Sequence, residues 1–281
     1  MTEWGDAVVD LEPYLQRIGL GGPAWVAPPK PNARTLCELH RAHVLSIPFE
    51  NIDVMLGPPL DLAVGAIEHK LVHRRRGGVC YEHNLLFAAV LEQLGYRVRR
   101  VLTRVRDDGA ALLPRGHSAL LVEIEGERWL CDVGYGCDGI IDPIPLSVST
   151  VRQGPWSFEL NHGEDRWRLI SGDRTVLYSV TDVEYRRPDF EVAAYYLLTH
   201  PSSPFSTSLV VQRATVDARY AMRDLDLTVA YPDGRRMTER VAPAALADLL
   251  RGTFGIEVGG PETAAITEFI ERHRAHARIA L

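Results

Sequence analysis

Hydrophobic positions in the first third of the chain recur at helical spacing. Over residues 11–18 they follow an i, i+3, i+4, i+7 pattern, which predicts a helix with one buried face. Thr35 and Glu38 form a capping-box pattern, which predicts the start of a second helix that stops before Pro48. Residues 80–94 are apolar on almost every side and are followed by a glycine, which indicates a buried helix.

From residue 96 onward the pattern changes to short aliphatic and β-branched runs separated by glycines. The last third mixes strand-like runs with two closing helices. Helices up to residue 95, an antiparallel sheet or barrel over 96–195 and a mixed layer over 196–281 together predict an α+β fold. The predicted elements are strands at 97–105, 118–124, 128–133, 167–170, 176–183, 209–216 and 225–230, and helices at 243–251 and 262–275.

Composition narrows the choice of partners and compartment. The 281 residues carry a net charge of −6, which argues against a nucleic-acid or anionic-membrane partner. The first twelve residues lack a secretory signal pattern, and the longest apolar run, 85–91, is far shorter than the ~20 residues that span a bilayer. The four cysteines contain no CxxC pair, so we expect a reducing, cytoplasmic setting without disulfides.

The segment 76–84 is the first candidate for chemistry. Gly77 and Gly78 permit a tight turn before Cys80, which lies in the first turn of the predicted buried helix. Unpaired backbone N–H groups and the helix dipole there favour a thiolate, and the same groups suit a developing oxyanion. The alternative is that Cys80 is merely a small hydrophobic residue at a helix start.

A predicted hairpin supplies a base and an acid for that thiol. Strand-like runs flank Glu125-Gly126-Glu127, and a two-residue turn at 125–126 would place Asp132 opposite Ala119. His117 and Asp132 would then be diagonal neighbours on one sheet face, about 7–8 Å apart at the backbone. A three-residue turn would put them on opposite faces.

A carboxylate beside a histidine fixes its tautomer and supports the imidazolium, and such a histidine can deprotonate a thiol. A lone histidine or aspartate in a sheet is more often structural. Cys80, His117 and Asp132 together therefore predict a Cys-His-Asp site, which is much stronger evidence than any one of them.

Three segments together resemble the arylamine N-acetyltransferases: 47–53 (IPFENID), 76–84 (RGGVCYEHN) and the hairpin ending in 132–136 (DVGYG). The resemblance covers most of the chain. It implies a helical bundle, a β-barrel and an α/β lid around a cysteine-protease-like Cys-His-Asp core formed by Cys80, His117 and Asp132. It also implies ping-pong transfer of an acetyl group from acetyl-CoA, through a cysteinyl thioester, to an aromatic amine or hydrazine, with no tightly bound cofactor.

The resemblance implies roles for four further residues. Glu50 and Arg76 are expected to form a bidentate ion pair that holds the cysteine turn in place. Phe205 is expected to line the acceptor cleft, although an ordinary core phenylalanine is as good an interpretation. Val79, next to the nucleophile, is the other predicted substrate-binding residue.

Some details instead resemble a sister group, the amide synthases that release a polyketide chain as a macrolactam. These details are Leu85, where many relatives have a small residue, Cys137, and the arginine-containing stretch 104–115. Such an enzyme would take its acyl group from an acyl carrier protein. The chemistry is therefore predicted more firmly than the donor.

Two other functions fit parts of the pattern. The order Cys, His, Asp also suits a hydrolase or a transglutaminase-like thiol enzyme, and the same scaffold could serve as a non-catalytic binding protein. A binding protein would not need the three residues together. His69 and His73 have the spacing of a metal pair, but no third ligand is evident nearby, so no metal site is predicted.

Overall fold

The computed structural model describes residues 3–4, 8–22, 25, 30–57, 60–109, 113–163 and 165–279. Two short π-helical turns, at His69–His73 and Leu250–Phe254, and a 3₁₀ turn at Pro243–Ala245 extend neighbouring helices. The helices are α1 (Leu11–Arg17), α2 (Ala33–Ser46), α3 (Ile52–Leu56), α4 (Val64–Glu68), α5 (Cys80–Gln93), α6 (Arg187–Thr199), α7 (Pro204–Thr207), α8 (Leu246–Leu249) and α9 (Gly260–Ile279). In the described part of the chain no helix has the length and apolar character needed to cross a membrane.

The strands belong to two antiparallel sheets. They are β1 (Phe49–Glu50), β2 (Arg97–Val105), β3 (His117–Ile124), β4 (Glu127–Cys131), β5 (Ile144–Pro145), β6 (Thr150–Gln153), β7 (Trp156–Gly163), β8 (Arg166–Ser171), β9 (Val176–Val180), β10 (Val210–Ala214), β11 (Arg219–Arg223), β12 (Asp226–Ala230) and β13 (Arg236–Arg240).

Eight strands form a nearly closed barrel in the order β5-β4-β3-β2-β9-β8-β7-β6. The two ends approach each other at Gln153, whose side-chain oxygen accepts hydrogen bonds from the N–H groups of Ile141 and Asp142, just before β5. Inward-facing apolar side chains such as Phe158 and Leu169 fill the interior. The predicted α+β fold with a central antiparallel barrel is confirmed, although β5, β6 and β7 were not predicted.

The second sheet joins the two ends of the sequence. Its order is β1-β10-β11-β12-β13, with Phe49 of β1 paired to Gln212 of β10. Its apolar face packs against α8 and α9 through residues such as Leu246 and Ile266. The predicted division at residues 95 and 195 stays a prediction. β1, which lies before residue 95, pairs with β10 of the C-terminal sheet.

The predicted helices are present, and only the predicted start of α2 is wrong. α5 runs from Cys80 to Gln93, buried along almost its whole length, and the chain leaves it at Gly95 with a φ of +89°. The predicted capping box at Thr35 is wrong: α2 begins at Ala33, because the side chain of Asn32 accepts a hydrogen bond from the Thr35 N–H. Glu38 instead pairs with Arg34 on the helix surface.

Candidate active site

The hairpin between β3 and β4 sets the register on which the site depends. Ile124 pairs with Glu127 and Leu120 with Cys131, as the two-residue turn predicted. Glu125 and Gly126 both have positive φ, 51° and 84°, which is the conformation of a type I′ turn. This register puts His117 and Asp132 on the same face of the hairpin.

His117 and Asp132 form a short, buried contact. His117 Nε2 lies 2.6 Å from Asp132 Oδ2. The other carboxylate oxygen accepts hydrogen bonds from the Asn84 side-chain amide at 3.1 Å and from the Gly134 N–H at 3.0 Å. Burial opposes the charge on Asp132, but the His117 charge and these hydrogen bonds prevail and lower the pKa of the carboxyl group. Asp132 is therefore an ionised, fixed carboxylate.

His117 also interacts with the side chain of Cys80. Burial disfavours a charged imidazole, but the charge and hydrogen bond of Asp132, together with a hydrogen bond to the Cys80 side chain, raise the pKa of His117 to about 10. Because Nε2 faces Asp132, Nδ1 is the atom left for Cys80. The geometry brings Cys80, His117 and Asp132 into one chain of contacts.

Two tyrosines that sequence reasoning missed enclose the imidazole. Tyr135 meets the His117 ring edge to face at 5.1 Å, and Tyr178 lies tilted against it at 5.3 Å. Tyr135 is anchored by a hydrogen bond from its hydroxyl to the Leu177 carbonyl. The rings restrict the imidazole to the orientation that spans Asp132 and Cys80.

Contacts with the barrel fix the position of Cys80. The Ser118 hydroxyl donates to the Cys80 carbonyl at 2.9 Å, and Asn84, one turn further along α5, donates to the Ser118 carbonyl at 2.8 Å. Gly134 packs so closely that a Cβ there would lie 2.8 Å from the Cys80 Cα. The i, i+4 spacing of Cys80 and Asn84 was the available signal that both face the hairpin.

The glycine turn before Cys80 is held by the segment that contains β1. Gly78 donates to the Pro48 carbonyl, and its own carbonyl accepts from the Glu50 N–H at 3.0 Å. A Cβ at Gly77 would lie 2.2 Å from the Pro48 oxygen, so only glycine fits. The carboxylate of Glu82 then accepts the Val79 N–H at 2.9 Å and is itself paired with the buried Lys70.

The predicted contact between Arg76 and Glu50 is present but is not bidentate. Arg76 Nε lies 3.2 Å from one Glu50 oxygen, while the other oxygen accepts the Ile52 N–H at 2.6 Å. The terminal nitrogens of Arg76 instead face Asp53 at 3.3 Å and Glu262 of α9 at 2.8 Å. The guanidinium therefore links the turn to the C-terminal helix as well, a partner 186 residues away that local pattern could not reveal.

Cys80 and His117 open onto a cavity of about 710 Å³. Phe205, on α7, lines it and packs against Phe49 at 5.7 Å between ring centroids. The prediction for Val79 needs correction, because its side chain is fully buried in the helical core and does not line the cavity. The other lining residues include Val105, Arg106, Leu113, Pro114, Tyr135, Asp138, Tyr196, Leu197, Ser202, Gln212 and Arg223.

Two of the remaining cysteines are buried, and the arginine-containing stretch 104–115 contributes part of the cavity wall. Cys131 and Cys137 are buried, and burial raises the pKa of both thiols, so neither resembles an activated nucleophile. In the stretch 104–115, residues 110–112 lie outside the described residues.

Comparison with known proteins places this arrangement in a family. A family model described as N-acetyltransferase matches residues 32–263. An arylamine N-acetyltransferase of Mycolicibacterium smegmatis is 40% identical over 262 residues, covering 89% of this chain and 93% of the relative.

Solved structures agree with the sequence relatives. The arylamine N-acetyltransferase of Nocardia farcinica superposes with a TM-score of 0.86 at 36% identity, covering 95% of this chain and 97% of the other. The Mycobacterium marinum enzyme in complex with CoA superposes with a TM-score of 0.84 at 33% identity, covering 94% and 99%. With the family model and the relatives both spanning most of its length, the chain belongs to the arylamine N-acetyltransferase family of transferases.

Proposed function

We propose that this chain transfers an acetyl group from acetyl-CoA, through a thioester on Cys80, to the nitrogen of an arylamine or hydrazine. One observation carries the proposal: a buried His117 lies between Asp132 and Cys80, and Cys80 and His117 line a cavity of about 710 Å³. The family to which the chain belongs, and the CoA bound to its M. marinum relative, support this choice of donor.

The first half-reaction uses the histidine as a base. The proton that Cys80 gives up lies on His117 Nδ1, in keeping with the raised pKa of that imidazole, and Asp132 stabilises the imidazolium through Nε2. The thiolate attacks the thioester carbonyl carbon, and the bond from that carbon to the CoA sulfur then breaks. The departing thiolate leaves as CoA, protonated by the imidazolium, and Cys80 holds the acetyl group.

The second half-reaction returns the site to its starting state. The neutral amine nitrogen attacks the carbonyl carbon of acetyl-Cys80, and the carbon–sulfur bond to Cys80 breaks. His117 takes the proton that the nitrogen loses and returns one to the Cys80 thiolate.

Backbone groups at the start of α5 suit the oxyanion of both tetrahedral intermediates. The first N–H groups of a helix have no intrahelical acceptor and carry the positive end of the helix dipole. Because the nucleophile is the first residue of α5, its attack places the carbonyl oxygen beside these donors.

The cavity walls fit the proposed substrates. Phe49, Phe205 and Tyr135 offer aromatic surface for an arylamine ring close to Cys80. Arg106 and Arg223 supply positive charge for an anionic donor, which an acidic chain of net charge −6 needs locally.

Intact mass spectrometry after mixing with acetyl-CoA tests the proposal. We expect one acetyl adduct, mapped to Cys80 by peptide analysis, that disappears on addition of an arylamine with formation of the N-acetyl product. A long-chain acyl thioester, presented on a carrier protein, is the matched second donor. Acylation by that donor alone would replace the proposal with the amide synthase, and adduct loss to water without amide formation would replace it with a thiol hydrolase.

A further inference from the structure

A fully buried histidine from α2, His40, contacts the backbone of Asp132. The Asp132 N–H donates to His40 Nε2 at 3.0 Å, and His40 Nδ1 lies 2.8 Å from the Ile141 carbonyl oxygen. The imidazole and the Phe87 ring of α5 also form an edge-to-face pair, with 5.8 Å between their centroids. His40 thus lies between the helix that begins at Cys80 and the residue that holds His117.

The two hydrogen bonds fix the tautomer of His40. An N–H donor at Asp132 requires a lone pair on Nε2, so the proton is on Nδ1, where it can be donated to the Ile141 carbonyl. Burial lowers the pKa of His40 more than the nearby Asp142 and Asp132 raise it, and Arg41 adds to the lowering. A neutral ring with this tautomer satisfies both partners.

The Asp132 N–H needs His40 as its acceptor because the backbone pairing between β3 and β4 ends one residue earlier. Leu120 and Cys131 are the last pair between β3 and β4, so a buried N–H at Asp132 has no partner across the hairpin. Asn84 holds the flanking atoms, since it donates to Asp132 Oδ1 and accepts the Val133 N–H. His40 supplies the remaining contact, to the main chain of Asp132 itself.

We propose that His40 is a positioning residue for acyl transfer: it holds the Asp132 main chain where the carboxylate meets His117 Nε2. The inference rests on the proposed role of the Cys80, His117 and Asp132 site. Among the described residues His40 is not one that lines the cavity, so its effect passes through the geometry of Asp132.

A pair of amide variants separates the two hydrogen bonds of His40. In His40→Gln the longer side chain can place an amide oxygen near the position of Nε2 and keep the acceptor for the Asp132 N–H. In His40→Asn the shorter side chain reaches the Ile141 carbonyl but not Asp132. Both remove a buried imidazole and replace it with the same functional group, so each controls for the other.

The readouts are the rate of Cys80 acetylation by acetyl-CoA and the rate of Cys80 alkylation by iodoacetamide at neutral pH. We expect His40→Asn to slow acetylation on the order of 10–100-fold, the size of loss that follows from misplacing a catalytic group by about 1 Å. Its rate of Cys80 alkylation at neutral pH should fall as well, because a displaced His117 no longer promotes the thiolate. His40→Gln should keep both values near those of the unaltered protein.

Equal losses in the two variants, or an unchanged alkylation rate in folded His40→Asn, would overturn the proposal. In an Asp132→Asn background, His40→Asn should have little further effect, and additive effects would also overturn it. If His40→Asn does not fold, His40→Met offers similar length with only a weak acceptor, and the same outcomes decide. Alkylation needs no acyl donor, so a failure of acetyl-CoA to acylate Cys80 would count against the proposed function and leave this comparison intact.

Discussion

Replacing Asp132 with asparagine tests the central pair of the site with almost no change in shape. The Asn84 amide and the Gly134 N–H both donate to Oδ1, so an asparagine here keeps its oxygen on that side and turns its NH₂ toward His117. His117 Nε2 then becomes an acceptor, and the proton moves to Nδ1, the nitrogen that faces Cys80. A histidine in that tautomer cannot take the thiol proton.

The structure also gives the size of the effect. The pKa of His117 is about 10, against an ordinary value of 6.5, which at 1.36 kcal/mol per pH unit is about 5 kcal/mol in favour of the imidazolium. Among the interactions that raise the pKa of His117, those with Asp132 are the largest. Losing this support at the acylation step corresponds to a fall in rate on the order of 10³- to 10⁴-fold, to be measured by stopped-flow acetylation of Cys80.

The same pair makes stability depend on pH. Folding raises the pKa of His117, so its contribution is fully present below about 6.5 and is lost as the pH rises through about 10. Between these values the free energy of unfolding of the unaltered protein should fall toward that of Asp132→Asn, as followed by urea denaturation.

Asp107→Asn is the matched control, since Asp107 pairs with Arg166 at 3.1 Å and is not one of the described residues that line the cavity. It should keep acetylation close to the unaltered rate. If Asp132→Asn acetylates Cys80 within tenfold of that rate, or if its stability runs parallel to the unaltered protein across this pH range, the reasoning about Asp132 is refuted.

Three further predictions concern the nucleophile, its turn and its closest neighbour. Cys80→Ser should fold but form no acetyl adduct, whereas Cys131→Ser should keep most activity; N-acetylation by folded Cys80→Ser would contradict the assignment. Removing either partner of the buried Glu50–Arg76 pair should cost about 3–5 kcal/mol in urea unfolding, and an additive double-mutant cycle would show that the two do not interact. Gly134→Ala should lower kcat even where the protein still folds, because the new methyl group displaces the Cys80 main chain. An unchanged kcat would contradict this.

The sequence was sufficient to predict contacts between residues that lie close together along the chain. His117 and Asp132 are 15 residues apart, and strand alternation with a glycine at the turn determines which face each occupies. The buried helix that begins at Cys80 could also be predicted, because a segment that is apolar on every side is stable only where all its faces are covered.

The sequence was insufficient to predict features that depend on a choice between competing local signals or on residues far away along the chain. Asn32 and Thr35 are both good helix caps three residues apart, and only the structure shows that Asn32 is used. Val79 is adjacent to the nucleophile, yet its side chain points into the helical core. Glu262 reaches Arg76 across 186 residues, a contact that no periodicity encodes.

The helical region and the barrel each hold a catalytic-site residue of the other in place. Asn84, on the nucleophile helix, holds Asp132 in the barrel loop, while Ser118, on β3, holds the Cys80 carbonyl. Each region therefore satisfies polar groups that the other leaves open, and neither half of the site is complete until the two pack together. This explains why reading each segment separately identified the reacting residues but not the residues that hold them: reactivity depends on residue type, whereas positioning depends on the contact between regions.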